Sequence, residues 1–254
     1  MPDAEKAFPQ QFERISRGLH PEKRINAANF GWVSSSPLLS YRLLKDVGHK
    51  YNPDIILYCV DMSDFHDDIK YAKLLERKGI YRLLGVTPVS FIIIRKMLKK
   101  IIKIPSLKPL YEKIFGFPTD RFFITSQDLS KTEHWFSYLR KNIENIKKYS
   151  TEKLNAKFIL IILPRSYQYS DRECPNNWEK NSYTTLGRYV YEPFKYFDKI
   201  REDVDYPIYS MLANFKNTEV FPTCFDHDPH WNEDGNRVAA EAIYQLLMSN
   251  GFLN

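Results

Sequence analysis

Two long runs of apolar residues constrain the fold more than any other feature of this sequence. Lys157–Leu163 is apolar at every position after the lysine and ends at Pro164, and Asp54–Val60 is a similar run that follows an Asn-Pro turn. Runs without alternating polar residues are typical of strands that are buried on both faces of a parallel sheet. We therefore predict that both segments are buried strands of one sheet.

Helical segments separate these strands along the chain. The spacing of apolar residues and the positions of capping residues predict helices over residues 5–18, 36–50, 133–149 and 233–247. Weaker strands are predicted at Arg24–Phe30 and Pro207–Leu212. Strands that alternate with helices predict a mostly parallel sheet covered on both sides, a three-layer α/β/α, flavodoxin-like fold. The site of such a fold lies where the strands end.

Composition predicts one globular domain over residues 1–254. The chain has 254 residues, of which 43% are hydrophobic, and this is enough to bury one substantial core. A formal net charge of +6 raises the question of an anionic partner. No nucleic-acid-binding motif accompanies the basic residues, so solvated helix faces are favoured and no nucleic acid partner is expected.

A long insertion rich in Lys, Ile and Leu is predicted at about residues 67–125. Its segment 90–104 is basic and amphipathic, and its apolar run is far shorter than the roughly twenty residues of a membrane span. A helix packed on the domain is favoured over a substrate-covering lid or a membrane-facing helix. The first residues lack the features of a signal peptide, so the chain as given is predicted to be soluble. Membrane contact is expected only through residues 90–104 or a missing N-terminal anchor.

The three cysteines lie far apart and give no metal or disulfide signature. Cys59, Cys174 and Cys224 include no C-x-x-C pair and have no histidine at metal-ligand spacing. We predict no metal site, and Cys59 in its apolar strand is most simply a buried thiol.

The segment Asp228–Gly235 leads directly into the last predicted helix and has a histidine two residues after an aspartate. His230 could act as a general base with its second ring nitrogen oriented by Asp228. The structural alternative is that Asp228 and Asn232 cap the helix while His230 packs beneath it. The residues alone favour neither interpretation.

Two further segments place small or polar residues after predicted strands. Gly31 follows Arg24–Phe30, and a glycine there lets a backbone N–H approach an oxyanion, although any strand-to-helix turn can need one. Asp61–Asp68 follows Asp54–Val60, at the end where α/β enzymes place oxyanion donors and orienting groups. These acids do not match a calcium loop, so solvated turn acids are favoured over a metal site.

Taken in order, the three segments resemble the SGNH (GDSL-type) hydrolase family. Its four blocks carry the nucleophilic Ser of a Gly-Asp-Ser motif, a Gly, a Gly-x-Asn-Asp motif and an Asp/His pair. Gly31 matches the second block, Asp61–Asp64 falls on the third, and Asp228–Gly235 matches the D-x-H-W-N-x-x-G form of the fourth. The resemblance covers most of the chain, and the fourth block is its most specific part.

This resemblance implies a serine ester hydrolase. His230 takes the role of general base, and Asp228 orients it, with Asp226 as the alternative partner. The implied substrates are O-acetyl or other short acyl esters, including esters of carbohydrate, and relatives suggest the cell envelope by analogy alone. No cofactor is implied.

On the oxyanion side, the resemblance gives the donor roles to the Gly31 N–H and the Ser63 hydroxyl, and Asp64 is a further candidate. Asp61 and Ser63 stand where the family has Gly and Asn, and no Gly-Asp-Ser occurs in the sequence. The resemblance therefore implies that the first strand and the nucleophile block are missing from this chain. We expect the chain as given to be inactive.

Two other functions would use the same residues. A non-catalytic domain that binds a glycan or a protein partner agrees with the missing nucleophile, and an O-acyltransferase differs from a hydrolase only in its acceptor. In each case Gly31, Ser63 and His230 should converge at the carboxyl edge of the sheet, because one ligand must reach all of them.

Overall fold

The computed structural model describes residues 4–76 and 104–253. Within these ranges the chain is a mixed α/β protein with strands β1 (Ile55–Val60), β2 (Lys157–Ile162) and β3 (Ile208–Ser210). The strands form a sheet in the order β1-β2-β3. β2 and β3 run parallel, with Leu160 opposite Ile208. The predicted α/β class and the strands near residues 54–60, 157–163 and 207–212 are therefore confirmed.

Helices precede and follow each of these strands along the chain. In chain order the described α-helices are α1 (Phe8–Leu19), α2 (Pro37–Asp46), α3 (Asp64–Glu76), α4 (Lys108–Phe115), α5 (Leu129–Thr132), α6 (Phe136–Lys153), α7 (Ser166–Tyr169), α8 (Trp178–Ser182), α9 (Glu192–Ile200), α10 (Leu212–Asn217) and α11 (Glu233–Ser249). The four predicted helices correspond to α1, α2, α6 and α11. α2 ends before the predicted boundary, and a 3₁₀ turn at Gly48–Tyr51 follows it.

The strand predicted at Arg24–Phe30 is wrong, because this segment is irregular. Two of its backbone polar groups are bonded to side chains of α1 and not to a neighbouring strand. The Ala27 N–H donates to the Glu13 carboxylate at 2.5 Å. The Arg17 guanidinium donates to the Ile25 carbonyl at 2.8 Å. A polar helix side chain has thus taken the place of the expected sheet partner.

The two apolar strands differ in how deeply they are buried. β2 is buried at five of its six positions, as predicted. β1 is less buried than predicted, because only Val60 is fully covered and the other five residues are half-buried. β1 stands at the end of the strand order and has a neighbour on one side within the described residues, which explains the difference.

Contacts divide the chain into two compact units. One contains Met1–Gly31 and Ile159–Asn254, and the other contains Trp32–Phe158, so the boundary passes through β2. The single domain over residues 1–254 stays a prediction.

In the first unit, α1 lies along α11. The Phe8 N–H at the start of α1 donates to the Asn236 side chain at 3.0 Å. At the other end of α1, the His20 ring bonds the Tyr244 hydroxyl at 2.9 Å. Both ends of α1 are therefore attached to the last helix.

In the second unit, α2, α3 and α6 pack together through aromatic side chains. The rings of Phe65 on α3 and Phe136 on α6 are 4.6 Å apart, and both residues are buried. The rings of Tyr41 on α2 and Tyr149 on α6 meet edge to face at 6.2 Å. This apolar packing covers the helix faces that their sequences predict to be buried.

Where it is described, the predicted insertion at residues 67–125 includes most of α3 and all of α4, whereas residues 116–122 are not helical. Apart from Ile104, the basic segment 90–104 lies outside the described residues. Within residues 4–76 and 104–253, no helix combines the length and the apolar character that crossing a bilayer requires.

Gly235, in the first turn of α11, provides a test of the close packing there. A Cβ at this position would lie 2.1 Å from the Thr223 carbonyl oxygen and 2.9 Å from the Trp231 Cβ. We expect Gly235→Ala to lower the free energy of unfolding by roughly 1–3 kcal/mol, because backbone must move to admit the methyl group. Urea unfolding followed by circular dichroism measures this change.

The matched control is Gly18→Ala in α1, where nothing lies within 4 Å of the added carbon. That change should leave the protein as stable as before, or up to about 1 kcal/mol more stable, because alanine is the better helix former. Equal unfolding curves for the two variants would contradict the close approach at Gly235.

Candidate functional site

The loop that carries His230 is closed at its base by backbone bonds. Cys224 and Trp231 form an isolated antiparallel bridge. One step further into the loop, the Phe225 N–H donates to the His230 carbonyl at 3.2 Å. Residues 225–230 therefore form a short, fixed loop directly before α11, which we call the dyad loop.

Asn232 joins the base of this loop to the start of α11. Its side-chain oxygen accepts the Gly235 N–H at 2.9 Å and so caps the helix, which was one part of the structural alternative. Its side-chain nitrogen donates to the carbonyls of Pro222 at 2.8 Å and Cys224 at 3.3 Å. One amide thus holds both the loop and the helix N-terminus.

Trp231 anchors the same segment through apolar contacts. Its ring stacks on Phe215 of α10 at 4.4 Å, with an angle of 16° between the planes. Its other neighbour is Phe8 of α1, which it meets edge to face at 6.5 Å. The tryptophan of the D-x-H-W-N-x-x-G segment therefore fixes the dyad loop to two helices.

His230 and Asp228 form a bonded pair at the surface. The His230 backbone N–H donates to Asp228 Oδ1 at 2.9 Å, and the ring Nδ1 contacts the same oxygen. The two side chains are 66% and 56% exposed. The structural alternative is therefore right only for Asn232, which caps the helix. His230 is not packed beneath the helix, and Asp228 does not cap it. No partner of the ring Nε2 is found in the described part of the chain.

Asp226 has different neighbours. It faces the His227 ring at 3.1 Å and accepts the Asn176 side-chain amide at 2.9 Å. Of the two aspartates that the sequence left open, Asp228 is the one that contacts His230.

Arg165 contributes to the electrostatics of the pair. Burial opposes ionisation of Asp228, but the hydrogen bonds from His230 and the positive charges of His230 and Arg165 hold the pKa of this carboxyl below its usual range. Arg165 follows β2 directly after Pro164 and forms a nearly buried ion pair with Glu179. Sequence analysis missed Arg165, although a polar residue after the clearest strand is a recognised signal in α/β proteins.

The two predicted oxyanion donors are bonded within their own turns. The Gly31 N–H donates to the Asn29 side chain at 2.9 Å. The Ser63 N–H and hydroxyl both donate to Asp61 Oδ1, at 2.8 and 2.6 Å. Gly31 and His230 belong to the first unit and Ser63 to the second, so their convergence stays a prediction.

The acids that follow β1 are not the solvated turn residues that were predicted, since Asp64, Asp67 and Asp68 are buried. Asp67 forms an ion pair with Arg121 at 2.6 Å. Asp68 accepts the Asn142 side-chain amide at 2.7 Å. Each of these two carboxylates has a specific polar partner, which allows it to be buried.

One group of possible metal ligands was missed by the sequence analysis. Glu173, Cys174 and Cys224 are buried, and their ligand atoms lie within 4.8 Å of one another. Among residues 4–76 and 104–253, these three residues form the one cluster of possible metal ligands. The spacing of the cysteines gives no signal for it, because the two segments meet only in the folded chain.

No family model, curated protein or solved structure matches this chain. The resemblance to SGNH hydrolases therefore stays a prediction from the motifs, and function must be argued from the site itself.

The pKa of Asp228 provides a test of the pair. Because hydrogen bonds and charge from His230 favour the carboxylate, Asp228 should titrate below the ordinary aspartate range, and His230→Ala should raise its pKa. Carbon-detected NMR of protein that is isotopically labelled at its aspartate carboxyl groups measures the Asp228 pKa in wild type and in His230→Ala. His227→Ala is the matched control and should leave the Asp228 titration unchanged, since His227 faces Asp226. Equal shifts in both variants would contradict a specific pair.

Asp64 provides a test of the buried acids. Its pKa is raised well above the usual value, first by burial and then by the charge of Asp61, although the Asp61 N–H donates to it at 2.9 Å. A raised pKa in the folded state means that wild-type stability falls as the pH rises above about 4, where the unfolded aspartate ionises. Asp64→Asn keeps an acceptor without the charge. We expect it to be more stable than wild type at neutral pH, with the gain disappearing in acid.

Urea unfolding from about pH 3 to about pH 8 measures this difference across the titration range. Asp64→Ala is the control, because it removes the acceptor as well as the charge and should be less stable than Asp64→Asn at every pH. A difference between wild type and Asp64→Asn that does not vary with pH would contradict the raised pKa.

Proposed function

We propose that this chain carries the general base and its orienting carboxylate for an SGNH-type ester hydrolase site, on a three-layer α/β/α, flavodoxin-like fold. The observation that carries the proposal is the exposed pair of His230 and Asp228. The ring is bonded to the carboxylate through Nδ1, which leaves Nε2 to face a substrate. A base held in one orientation by a carboxylate is what acyl transfer to serine requires.

In the proposed reaction, His230 Nε2 takes the proton of a serine hydroxyl while the serine oxygen attacks the ester carbonyl carbon. The ring then gives this proton to the departing alcohol, and water repeats the sequence to release the acid. Asp228 fixes the Nδ1–H tautomer and stabilises the positive ring. The lowered pKa of Asp228 supports this role, because the carboxylate stays charged at neutral pH.

The fixed position of the dyad loop supports the role of His230 as general base. The Asn232 amide and the Trp231 ring both fix the segment that carries His230. An exposed side chain can serve as a base only if its backbone is fixed, because errors in position of about 1 Å cost large factors in rate. The exposed ring also suits an ester carried on a large molecule. This favours acyl groups on carbohydrate among the short acyl esters proposed as substrates.

The nucleophile is the part that this sequence does not supply. No Gly-Asp-Ser occurs among its residues, so the proposal places the serine outside them. The Gly31 N–H and Ser63 hydroxyl are proposed as oxyanion donors, and each would have to exchange its present acceptor for the oxyanion. Asp64 remains a candidate only as a neighbour of that turn.

A non-catalytic binding domain is the second candidate. The missing Gly-Asp-Ser favours it for this chain, as does the engagement of both proposed oxyanion donors. An acyltransferase would use the same pair as the hydrolase, and it would be recognised by transfer to an alcohol in place of water. Hydrolysis measured with and without an added alcohol acceptor separates these two.

Turnover of p-nitrophenyl acetate tests the proposal. We expect residues 1–254 to show no activity above background, since the nucleophile is absent. The chain extended by its own upstream coding sequence, where this supplies a Gly-Asp-Ser, should be active. In that active form His230→Ala should lower kcat by roughly 100- to 10,000-fold, which is the usual contribution of a general base.

His227→Ala is the matched control in the extended form. His227 is an exposed histidine of the same loop that faces Asp226, so its loss should leave kcat unchanged. Activity of residues 1–254 that disappears in His230→Ala would contradict the prediction and place the nucleophile within this sequence. An inactive extended chain that binds acetylated glycan would favour the binding domain.

A further inference from the structure

Two cysteines that are far apart in the sequence become neighbours in the first unit. Cys174 and Cys224 are both 2% exposed, and their sulfur atoms lie within 4.8 Å of each other. Both thiols are free in this structure. The third cysteine, Cys59, is in β1 of the other unit. The first unit therefore contains one close thiol pair.

The thiol pair lies directly against the dyad loop. Cys174 Sγ donates to the Asp228 carbonyl at 3.6 Å, and Cys224 Sγ donates to the Pro229 carbonyl at 3.8 Å. Cys224 also belongs to the bridge that closes the base of the loop. The two sulfur atoms thus contact the backbone of Asp228 and of the next residue, Pro229, and Asp228 is a member of the exposed pair.

A buried carboxylate holds the two cysteine segments together without a covalent bond. Glu173, next to Cys174, accepts the backbone N–H groups of Thr223 at 2.6 Å and Cys224 at 3.2 Å. It also accepts the Thr223 hydroxyl at 2.8 Å. These bonds fix the backbones on both sides of the sulfur pair. Little further ordering is needed to bring the thiols together, which favours bond formation between them.

We propose that Cys174 and Cys224 are a disulfide-forming pair whose bond fastens the dyad loop to the segment that follows α7. The oxidant is a low-molecular-mass disulfide of the glutathione type. The bond itself does not depend on the proposed function, and only its effect on the dyad loop does.

The exchange proceeds in two balanced steps. The Cys174 thiolate attacks one sulfur of the small disulfide, forming a mixed disulfide and releasing one small thiolate, which takes up a proton. The Cys224 thiolate then attacks the Cys174 sulfur and releases the second small thiol. Two protein thiols are oxidised to one disulfide, and one small disulfide is reduced to two thiols.

The environment favours Cys174 as the first attacking group. Contact between the two thiols lowers the pKa of Cys174 and, together with burial, raises the pKa of Cys224. Residues 225–228, which adjoin the pair, are exposed, and local opening of this loop would give the oxidant access.

The experiment incubates the full chain in a series of glutathione disulfide and glutathione mixtures, then unfolds it and alkylates the remaining thiols. We expect the oxidised protein to be lighter by two hydrogen atoms and to keep one reactive thiol. Peptide mapping should find that thiol at Cys59 and a cross-linked peptide that joins Cys174 to Cys224. The thermal midpoint of the oxidised form should exceed that of the reduced form by several degrees.

Cys59→Ser is the matched control and should form the same cross-link, whereas Cys174→Ser and Cys224→Ser should not. Comparison of oxidised and reduced wild type needs no variant, so a variant that fails to fold does not affect the result. Three reactive thiols under the most oxidising mixture would overturn the proposal. So would glutathione retained on Cys174 without ring closure. A third outcome would also overturn it. If Zn²⁺ protects both thiols of the reduced protein, a chelator reverses this protection and no cross-link forms, the cluster with Glu173 is a metal site.

Discussion

The first unit depends on the side-chain amide of Asn232. One oxygen and one nitrogen satisfy the Gly235 N–H at the start of α11 and the carbonyls of Pro222 and Cys224 at the base of the dyad loop. A helix N-terminus leaves several N–H groups without partners, and a tight loop leaves carbonyls in the same condition. A single amide supplies both kinds of bond, so the position of His230 and the direction of α11 are set together. The absence of a Cβ on Gly235 is part of the same requirement, because the Thr223 carbonyl occupies the space.

Buried carboxylates perform a similar task elsewhere in the chain. Glu173 binds two backbone N–H groups and a hydroxyl, Glu179 pairs with Arg165, and Asp67 pairs with Arg121. Burial of a charge is costly unless it is paired or hydrogen-bonded, so these carboxylates select the one arrangement that provides all their donors. The segment after β1 shows why acids in a sequence are ambiguous. An aspartate in this segment could be a solvated turn residue or a buried, paired carboxylate. Only the packing of α3 against α2 and α6 decides between the two.

Much of the fold follows from local pattern. The apolar runs near Cys59 and Ile161 become strands, and the helices near residues 5–18, 36–50, 133–149 and 233–247 form with small differences at their ends. The strand at Arg24–Phe30 fails because its backbone groups are taken by Glu13 and Arg17, which are polar residues of a neighbouring helix. The pattern of apolar residues within a segment cannot predict this competition for its backbone groups, since the competing side chains lie in another element. The partial burial of β1 is a similar case, because strand order is a property of the sheet.

By itself, the sequence determined the α/β class, and it identified Asn232 as a candidate helix cap and Asp228 with His230 as a candidate pair, because these depend on residues within a few positions of each other. Only the tertiary structure decided that His230 is exposed, that Asp228 and not Asp226 contacts it, and that the charge of Arg165 acts on Asp228. It alone brought Cys174 to Cys224. The physical reason is range: caps and short motifs arise from bonds between near neighbours, whereas exposure, charge and thiol proximity depend on which distant segments the folded chain places side by side.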